Sequence, residues 1–229
     1  MRLTDKIEVH NVDCLPFMRE LPDNAYDLGI VDPPYGIGRN WQKDSGTRFY
    51  KHKLTYQNNE TPDIDYFNEL MRISVNQIIW GANYYTPYLP ARQSWIVWDK
   101  KRSQPRTFNA EGELAWHSFN IPLRIFTHTW NGCVRGSHRY GVHPHEKPVL
   151  LYEWLLENYA KQGDTIFDSH FGSLSIGIAC HYLGFELTAC EIDKEYFDTA
   201  VKRFKEQTAQ IQINFTKSKQ YPQQKKMLI

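Results

Sequence analysis

The sequence predicts an α/β protein built on a doubly wound, mostly parallel sheet. Short apolar runs bounded by turn residues, a pattern typical of buried strands, alternate with segments in which apolar residues return every three or four positions, as in helices. Because this alternation places helices on both faces of one sheet, it favours βαβ units over an all-helical or all-strand fold. The 229 residues suit a single domain of generous size.

Six runs are predicted strands and four segments are predicted helices. The strands are Ile7–Val9, Asp27–Val31, Gln77–Trp80, Trp95–Trp98, Thr165–Phe167 and Leu187–Cys190, and the helices are Asp63–Ser74, Val149–Ala160, Ser175–Leu183 and Lys194–Lys205. Two regions interrupt the alternation: the polar and basic Gly38–Thr61, and Lys100–His145, whose pattern indicates short strands with basic loops. The basic, Gln-rich Phe215–Ile229 is expected to be a loosely ordered tail.

Composition excludes several classes of protein. Hydrophobic residues make up 41% of the chain and charged residues 23%, which is ordinary for a globular protein, and the net charge of +1 gives no overall basic field. Four cysteines without a CxxC pair suggest neither a zinc ribbon nor a disulfide framework. The first residues lack the apolar core of a signal peptide, and no stretch approaches the roughly 18 apolar residues of a membrane span. We therefore expect a cytoplasmic protein that does not bind membranes.

A glycine turn and a later acidic residue predict a nucleoside site. The predicted strand before Asp168 passes through a turn containing Gly172 into a helix, and the next strand ends at Glu191. In such a βαβ unit the glycine allows close backbone approach to a nucleoside, and the second carboxylate binds ribose hydroxyls. Neither GxGxxG nor a P-loop lysine is present, so a nucleoside without phosphates fits better than a dinucleotide. The alternative is that Asp168 and Glu191 only cap helices.

The loop Asp32-Pro33-Pro34-Tyr35 follows a second predicted strand and indicates chemistry on an amine. Two prolines fix φ and hold the loop rigid, so it displays Asp32 and Tyr35 in a defined orientation. An exocyclic base amine is a poor nucleophile, and an acceptor for its hydrogens, Asp32 with the Pro33 carbonyl, can aim its lone pair. Tyr35 suits stacking on a base flipped out of a duplex. The alternative is a plain turn in which Asp32 caps, the prolines end the sheet and Tyr35 packs.

With these motifs the chain resembles the DNA amino-methyltransferases in which Asp-Pro-Pro-Tyr precedes the cofactor motif. The resemblance rests also on Asn11–Cys14, on His143-Pro144-His145-Glu146-Lys147-Pro148, which is similar to the family's His-Pro-x-x-Lys-Pro, and on Asp168–Ser175. It implies the cofactor S-adenosylmethionine, with Asp13 beside the adenine and Lys147 in the segment that closes the methionine end. The implied cofactor-binding residues are Asp13, Cys14, Asp32, Lys147, Asp168, Phe171, Gly172, Ser173, Glu191 and Ile192, and the catalytic residues are Asp32, Pro33, Pro34 and Tyr35.

The order of the motifs predicts a circularly permuted sheet. When the chain is joined end to start, the strand before Gly172 becomes the first, and the strand before Asp32 becomes the fourth. In a doubly wound sheet these two strands are neighbours at the switch point, so Gly172 and Asp32 should face each other across one crevice. The cofactor methyl group and the target amine can then meet.

The cofactor turn departs from the family pattern at three positions. Ser169 and His170 stand where the family has Pro-Phe, and Leu174 replaces its second glycine. We therefore expect a reshaped pocket in which Phe171, rather than His170, makes the aromatic contact. The same departures favour one alternative, a catalytically idle DNA-binding subunit.

Two basic segments are the predicted contacts with double-stranded DNA. One follows the catalytic loop and interleaves cations with aromatic residues; the other lies in the region Lys100–Gly141, where the resemblance places target recognition. Solvated surface charge is the alternative for each residue. The candidates are Arg39, Lys43, Arg48, Lys51, Lys53, Lys100, Lys101, Arg102, Arg135 and Arg139.

The hypothesis from the sequence is methylation of adenine N6 in DNA. By the resemblance, Asp rather than Ser at the first motif position favours adenine, while cytosine N4, an RNA base or a protein glutamine stay open as substrates. His138, His143 and His145 have no cysteine or carboxylate partner at ligand spacing, so we expect no metal. A homodimer is an expectation from the resemblance alone.

Overall fold

A computed structural model describes residues 1–37, 60–101, 110–130 and 146–211 of the chain. These residues form an eight-stranded sheet with helices on both faces. The strands are β1 Ile7–His10, β2 Tyr26–Val31, β3 Ser74–Trp80, β4 Trp95–Asp99, β5 Gly112–His117, β6 Arg124–Thr127, β7 Thr165–Asp168 and β8 Glu186–Cys190. The α-helices are α1 Cys14–Arg19, α2 Ile64–Ile73, α3 Val149–Tyr159, α4 Ser175–Leu183 and α5 Lys194–Ile211, and short 3₁₀ turns cover Ala82–Tyr84 and Thr86–Tyr88.

The strand order confirms the predicted permuted, doubly wound sheet. Across the sheet the order is β1-β8-β7-β2-β3-β5-β4-β6. The first five strands are parallel, whereas β5 runs antiparallel to both β3 and β4. Counted from β7 as the first strand of the rejoined chain, β1-β8-β7-β2-β3 has the doubly wound order 3-2-1-4-5. The switch point therefore lies between β7 and β2, where the sequence predicts it.

Each face of the sheet carries its own hydrophobic core. Side chains alternate between faces along a strand, so Ile78 and Trp80 of β3 pack with the core that includes α3, α4 and α5, and Ile79 packs with α1 and α2. The α2 helix begins where the Asp63 carboxylate accepts a hydrogen bond from the main-chain N–H of Tyr66 at 3.2 Å. Because the central strands are buried on both faces, their sequences are continuous apolar runs.

The structure contains each predicted strand and helix, with bounds shifted by a few residues. The predicted Gln77–Trp80 starts earlier, at Ser74, because α2 leads directly into it, and the last helix continues to Ile211. The short strands expected within 100–145 are β5 and β6. The helix α1 was not predicted, because six residues containing Pro16 are too few to reveal a period. Residues 38–59, 131–145 and the predicted tail 215–229 lie outside the described residues.

Candidate active site

The carboxyl ends of β7 and β2 lie side by side at one edge of the sheet. β7 ends at Asp168 and β2 leads directly into Asp32, and the two strands pair in parallel with Gly29 opposite Phe167. Asp168 and Asp32 thus stand at neighbouring strand ends, where burial, with a smaller contribution from the negative charge of Asp32, raises the pKa of Asp168. The predicted cofactor turn and the Asp32 loop therefore share one crevice.

The two prolines of the Asp32 loop are held by the buried Tyr85, which follows β3. The Tyr85 hydroxyl lies 2.7 Å from the carbonyl oxygen of Pro33 and 2.6 Å from that of Pro34, and it donates its proton to this pair. Proline has no N–H of its own, so a side-chain donor that fixes these carbonyls also fixes the loop. A carbonyl oxygen has two lone pairs, which leaves the Pro33 carbonyl able to accept from a substrate as well.

Both carboxylate oxygens of Asp32 have partners within the protein. The Tyr35 hydroxyl donates to Oδ1 at 2.6 Å, and the Lys147 ammonium group binds Oδ2 as an ion pair. Burial lowers the pKa of Lys147, but the carboxylates of Asp32 and Glu113 more than offset this, so its pKa lies above the ordinary value. A carboxylate offers about four lone-pair positions, so Asp32 can still accept hydrogens from an amine.

The ring of Tyr35 is already packed. It stacks on Tyr84 with the ring centroids 5.1 Å apart and an interplanar angle of 15°. It also lies against Gly81, where an added Cβ would be 2.1 Å from Cε1 of Tyr35. A flipped base could therefore stack on Tyr35 only at a surface that Tyr84 and Gly81 leave open or vacate, and this role of Tyr35 stays a prediction.

The turn after β7 is fixed by main-chain hydrogen bonds. The N–H of His170 donates to Oδ1 of Asp168 at 3.0 Å, and the N–H of Phe171 donates to the Cys190 carbonyl at 3.0 Å. Gly172 has φ of +48°, a left-handed conformation that glycine adopts at little cost. Burial is the main cause that raises the pKa of Asp168 to about 8, so this carboxyl is mostly protonated at neutral pH.

Glu191 and Asp13 lie on the neighbouring strand ends. The Glu191 carboxylate accepts from the main-chain N–H of Gly172 at 3.1 Å and of Asp193 at 2.9 Å, and burial raises its pKa to about 7. Asp13 accepts from the N–H of Leu15 at 3.0 Å and caps α1. Asp13 therefore caps a helix, whereas Asp168 and Glu191, for which capping was the alternative, accept hydrogen bonds from the N–H groups of His170 and Gly172 in the turn itself. Ile192, the next residue, is half exposed.

The residues that replace the family's Pro-Phe form a chain of polar contacts. The Tyr66 hydroxyl lies 2.7 Å from Oγ of Ser169, which lies 2.8 Å from Nδ1 of His170. The other ring nitrogen of His170 is 3.8 Å from the Cys14 sulfur. Burial lowers the pKa of His170 to about 4, so its ring is neutral. Cys14, a predicted cofactor contact, is therefore packed behind the turn against His170.

Leu174 has a left-handed backbone, a conformation that a glycine adopts at little cost. Its φ is +57°, in the left-handed region, which costs a leucine about 1–2 kcal/mol. The side chain is fully buried, which contributes about 1.5–3 kcal/mol and offsets that cost. Gly177 in α4 provides the space, because a Cβ there would lie 2.8 Å from Cγ of Leu174. Burial of the side chain thus compensates for the backbone cost of a leucine at this position.

Several residues of the site belong to no motif in the sequence. Glu113 on β5 pairs with Lys147 at 3.2 Å. Arg203 on α5 donates to the Ser173 carbonyl at 2.6 Å and pairs with Glu146 at 3.2 Å, which ties the cofactor turn to the segment that carries Lys147. Nothing in the sequence marks Glu113 or Arg203 as residues of the site. Gly81, which contacts Tyr35, could have been singled out, because it is a glycine directly after a buried strand and close to two tyrosines.

Of the predicted DNA contacts, Lys100 and Lys101 are described. The Lys100 ammonium lies 2.5 Å from Oε1 of Glu113 and is mostly buried, so it belongs to the crevice rather than to an open basic surface. Lys101 is exposed. DNA binding by either stays a prediction. The remaining candidates lie outside the described residues: Arg39, Lys43, Arg48, Lys51, Lys53, Arg102, Arg135 and Arg139.

The chemistry of the crevice fits S-adenosylmethionine. This cofactor carries a sulfonium and an ammonium cation and a ribose with two hydroxyls. Asp168 and Glu191 offer buried carboxylates at adjacent strand ends, and Gly172 leaves room for a close approach. Within residues 1–37, 60–101, 110–130 and 146–211, no three metal-ligating side chains are grouped to hold an ion, and no helix is long and apolar enough to cross a membrane.

Comparison with known proteins decides the family. A model of a family described as DNA methylase matches residues 92–202. Type II methyltransferase M.HpaI of Haemophilus parainfluenzae is 24% identical, over 81% of this chain and 70% of its own length. Type II methyltransferase M1.MboII of Moraxella bovis is 20% identical, over 84% of this chain and 94% of its own length.

The chain belongs to the DNA amino-methyltransferases that act on adenine N6 or cytosine N4. The predicted resemblance is thereby confirmed, and with it the cofactor of that family, S-adenosylmethionine. In this methyltransferase the matched segment runs from β4 into α5 and contains Lys147, Asp168 and Glu191, whereas the Asp32 loop precedes it.

Solved structures share the fold of the methyltransferase. The M1.HpyAVI–SAM complex has a TM-score of 0.56 at 18% identity, covering 86% of this chain and 99% of that chain. PvuII DNA methyltransferase (cytosine-N4-specific) has a TM-score of 0.58 at 14% identity, covering 91% of this chain and 93% of that chain. At such low identity these structures support the predicted fold class and no finer assignment.

Proposed function

We propose that this methyltransferase transfers a methyl group from S-adenosylmethionine to adenine N6 of a base flipped out of duplex DNA. One observation carries the proposal: the Asp32 carboxylate stands on a rigid loop at the end of β2, beside the turn that follows Asp168 on the adjacent strand. An acceptor for amine hydrogens and a cofactor site therefore lie across one crevice. By family resemblance, Asp rather than Ser at this motif position favours adenine over cytosine.

Asp32 prepares the amine for attack. Its carboxylate accepts a hydrogen bond from the target N–H, which draws the nitrogen lone pair out of the ring and aims it along the loop's fixed direction. The bound cofactor supplies a methyl group activated by its positive sulfur. The nitrogen forms a bond to the methyl carbon, the carbon–sulfur bond breaks with its electron pair kept by sulfur, and one amine proton is lost towards Asp32. The reaction needs no covalent bond to the protein.

The carboxylates on the cofactor side bind and orient the methyl donor. Glu191 is fixed by the N–H of Gly172 at 3.1 Å and presents an oxygen towards the position of ribose hydroxyls. Asp168, buried and with a raised pKa, is stabilised as an anion when a cation of the cofactor approaches. The segment that carries Lys147 is anchored to the cofactor turn through Arg203, which pairs with Glu146 and donates to the Ser173 carbonyl.

Cytosine N4 is the second candidate substrate. It is also an exocyclic amine, and the PvuII enzyme named as cytosine-N4-specific shares the fold with a TM-score of 0.58. The acceptor geometry at Asp32 serves either amine, so the choice between the bases depends on the shape of the pocket around Tyr35.

The product nucleoside tests the proposal. The protein is incubated with tritium-labelled S-adenosylmethionine and unmethylated genomic DNA, and the DNA is digested to nucleosides and separated. We expect the label in N6-methyldeoxyadenosine. Label in N4-methyldeoxycytidine alone contradicts the adenine assignment, and the absence of label from DNA contradicts the proposed activity.

A further inference from the structure

Four charged side chains form a continuous chain of ion pairs that ends at the Asp32 loop. Lys100 lies 2.5 Å from Oε1 of Glu113, whose Oε2 lies 3.2 Å from Nζ of Lys147, and Lys147 in turn pairs with Asp32. The Tyr35 hydroxyl lies near both carboxylates of the chain, 2.6 Å from Asp32 and 3.5 Å from Glu113. Positive and negative groups alternate along the chain, so Lys147 has two carboxylate partners and Lys100 has one.

The direction of β5 brings Glu113 to the site. The parallel strands end at the edge of the sheet that carries Asp32, and β5 runs the opposite way between β3 and β4. Its first residues, Gly112 and Glu113, therefore lie at the edge where β4 ends, opposite Asp99 and Trp98. This topology brings a carboxylate that belongs to none of the sequence motifs to the Asp32 loop.

Lys147 depends on two carboxylates. Its side chain is 3% exposed, and a buried ammonium group is costly unless it is paired. Asp32 and Glu113 share it, and the opposing cations lower the pKa of Glu113 to about 2 although burial alone would raise it. Removing the charge of Glu113 would leave Lys147 to pair with Asp32 alone.

We propose that Glu113 is a positioning residue for methyl transfer, because its hold on Lys147 keeps the Asp32 carboxylate available to the target amine. The inference rests on the proposed function, in which Asp32 accepts the amine hydrogens. When Lys147 is shared, its pull on Asp32 is divided, and Asp32 stays a strong acceptor. When Lys147 pairs with Asp32 alone, the ammonium group neutralises the acceptor, and the amine lone pair is less well aimed. Glu113 itself does not touch the reacting atoms.

The test compares Glu113→Gln, Glu113→Asp and Glu111→Gln with the wild type. Glu111 is an exposed acid two residues before Glu113, and its variant controls for the loss of a carboxylate near β5. The single-turnover rate of methyl transfer is measured with labelled cofactor and unmethylated genomic DNA. Cofactor affinity is measured by calorimetry, the KM for DNA by steady-state transfer assays, and folding by thermal denaturation.

We expect Glu113→Gln to slow single-turnover transfer at least ten-fold, with the cofactor Kd and the KM for DNA within about two-fold of the wild type. Glu113→Asp keeps the charge but shortens the reach to the two lysines, so its rate should lie between those of the Gln variant and the wild type. Glu111→Gln should transfer at the wild-type rate. A slower transfer rate at an unchanged Kd and KM indicates a positioning role, because a purely structural role would change stability and both affinities together.

A folded Glu113→Gln variant with the wild-type rate overturns the proposal, and so does a loss explained entirely by weaker binding. If the Gln variant does not fold, Glu113→Asp decides: a reduced rate at unchanged affinities supports the proposal, and a wild-type rate refutes it. Failure of the proposed function is recognised separately, because the wild-type protein then puts no label into DNA, and the inference fails with it.

Discussion

The substitution Asp168→Asn should stabilise the protein while it abolishes cofactor binding. Asp168 is 1% exposed, and its carboxyl accepts a hydrogen bond from the N–H of His170 at 3.0 Å. Asparagine has nearly the same shape and can keep that hydrogen bond through its side-chain oxygen. What it removes is the cost of burying an ionisable carboxyl, together with the negative charge that a cationic cofactor needs.

The size of the gain follows from the pKa. Burial, the first cause, raises the pKa of Asp168 from 3.8 to about 8 in the folded protein. At neutral pH the carboxyl ionises in the unfolded chain but stays mostly protonated when folded, a difference of about three pH units at about 1.36 kcal/mol each. Ionisation of the unfolded chain therefore lowers the free energy of unfolding by at most about 4 kcal/mol, and Asp168→Asn recovers it.

The stability gain of Asp168→Asn should increase with pH. A carboxyl whose folded pKa is raised favours the folded state fully below its unfolded pKa, and this contribution is lost as pH rises towards the folded pKa of about 8. The stability gain of Asp168→Asn should thus be small near pH 4, grow with pH and level off above about pH 8.

Urea denaturation of both proteins at several pH values measures the gain, and calorimetry measures cofactor binding. Asp198→Asn is the control: Asp198 is exposed and pairs with Lys194 on α5, so its loss should change stability by less than about 1 kcal/mol. If Asp168→Asn shows no gain in stability, or a gain that does not depend on pH, then a buried carboxyl with a raised pKa is not what destabilises the folded protein.

Three further substitutions test how the loops are held. Gly81→Ala should destabilise the protein by about 2–4 kcal/mol and slow methyl transfer, because a Cβ at φ +67° would lie 2.1 Å from the Tyr35 ring; denaturation and transfer assays check this. Gly177→Ala should cost about 1–3 kcal/mol, and less in a Leu174→Ala background, a coupling that a double-mutant cycle measures. Tyr85→Phe should cost about 1–2 kcal/mol and reduce transfer more than calorimetric cofactor affinity. Additive effects in the cycle, or unchanged transfer in Gly81→Ala and Tyr85→Phe, would contradict these accounts.

The sequence predicts the fold and the meeting of the two loops for a physical reason. Parallel strands end at the same edge of a sheet, so a strand order inferred from the motifs is enough to place Asp32 beside the Asp168 turn. The observed pairing of β7 with β2 confirms that order. Local motifs carry this information because they mark the strand ends.

The partners of Asp32 could not be predicted in the same way. Glu113 reaches the site only because β5 is antiparallel, and strand direction in the 100–145 region leaves no signal in the sequence. Lys100 lies in a basic segment, which suggests DNA, yet its ammonium group is paired with Glu113. Such contacts depend on tertiary geometry rather than on residue type.

The Leu174 substitution shows the limit of motif comparison. A leucine in place of glycine predicts an altered turn, because a left-handed backbone is costly for it. In the structure Leu174 has this left-handed backbone, and its buried side chain lies over Gly177, three residues further along. The compensation involves a glycine that no motif contains, so only the packing reveals it.

In the proposed mechanism Asp32 accepts the hydrogens of the target amine, and the variant Asp32→Ala removes this acceptor. Lys147 keeps Glu113 as a partner in this variant, so the buried ammonium group stays paired. Transfer of labelled methyl to DNA and the calorimetric Kd for S-adenosylmethionine are measured on the same preparation. We expect methylation to be abolished while cofactor affinity stays close to that of the wild type. Continued methylation by Asp32→Ala would contradict this mechanism.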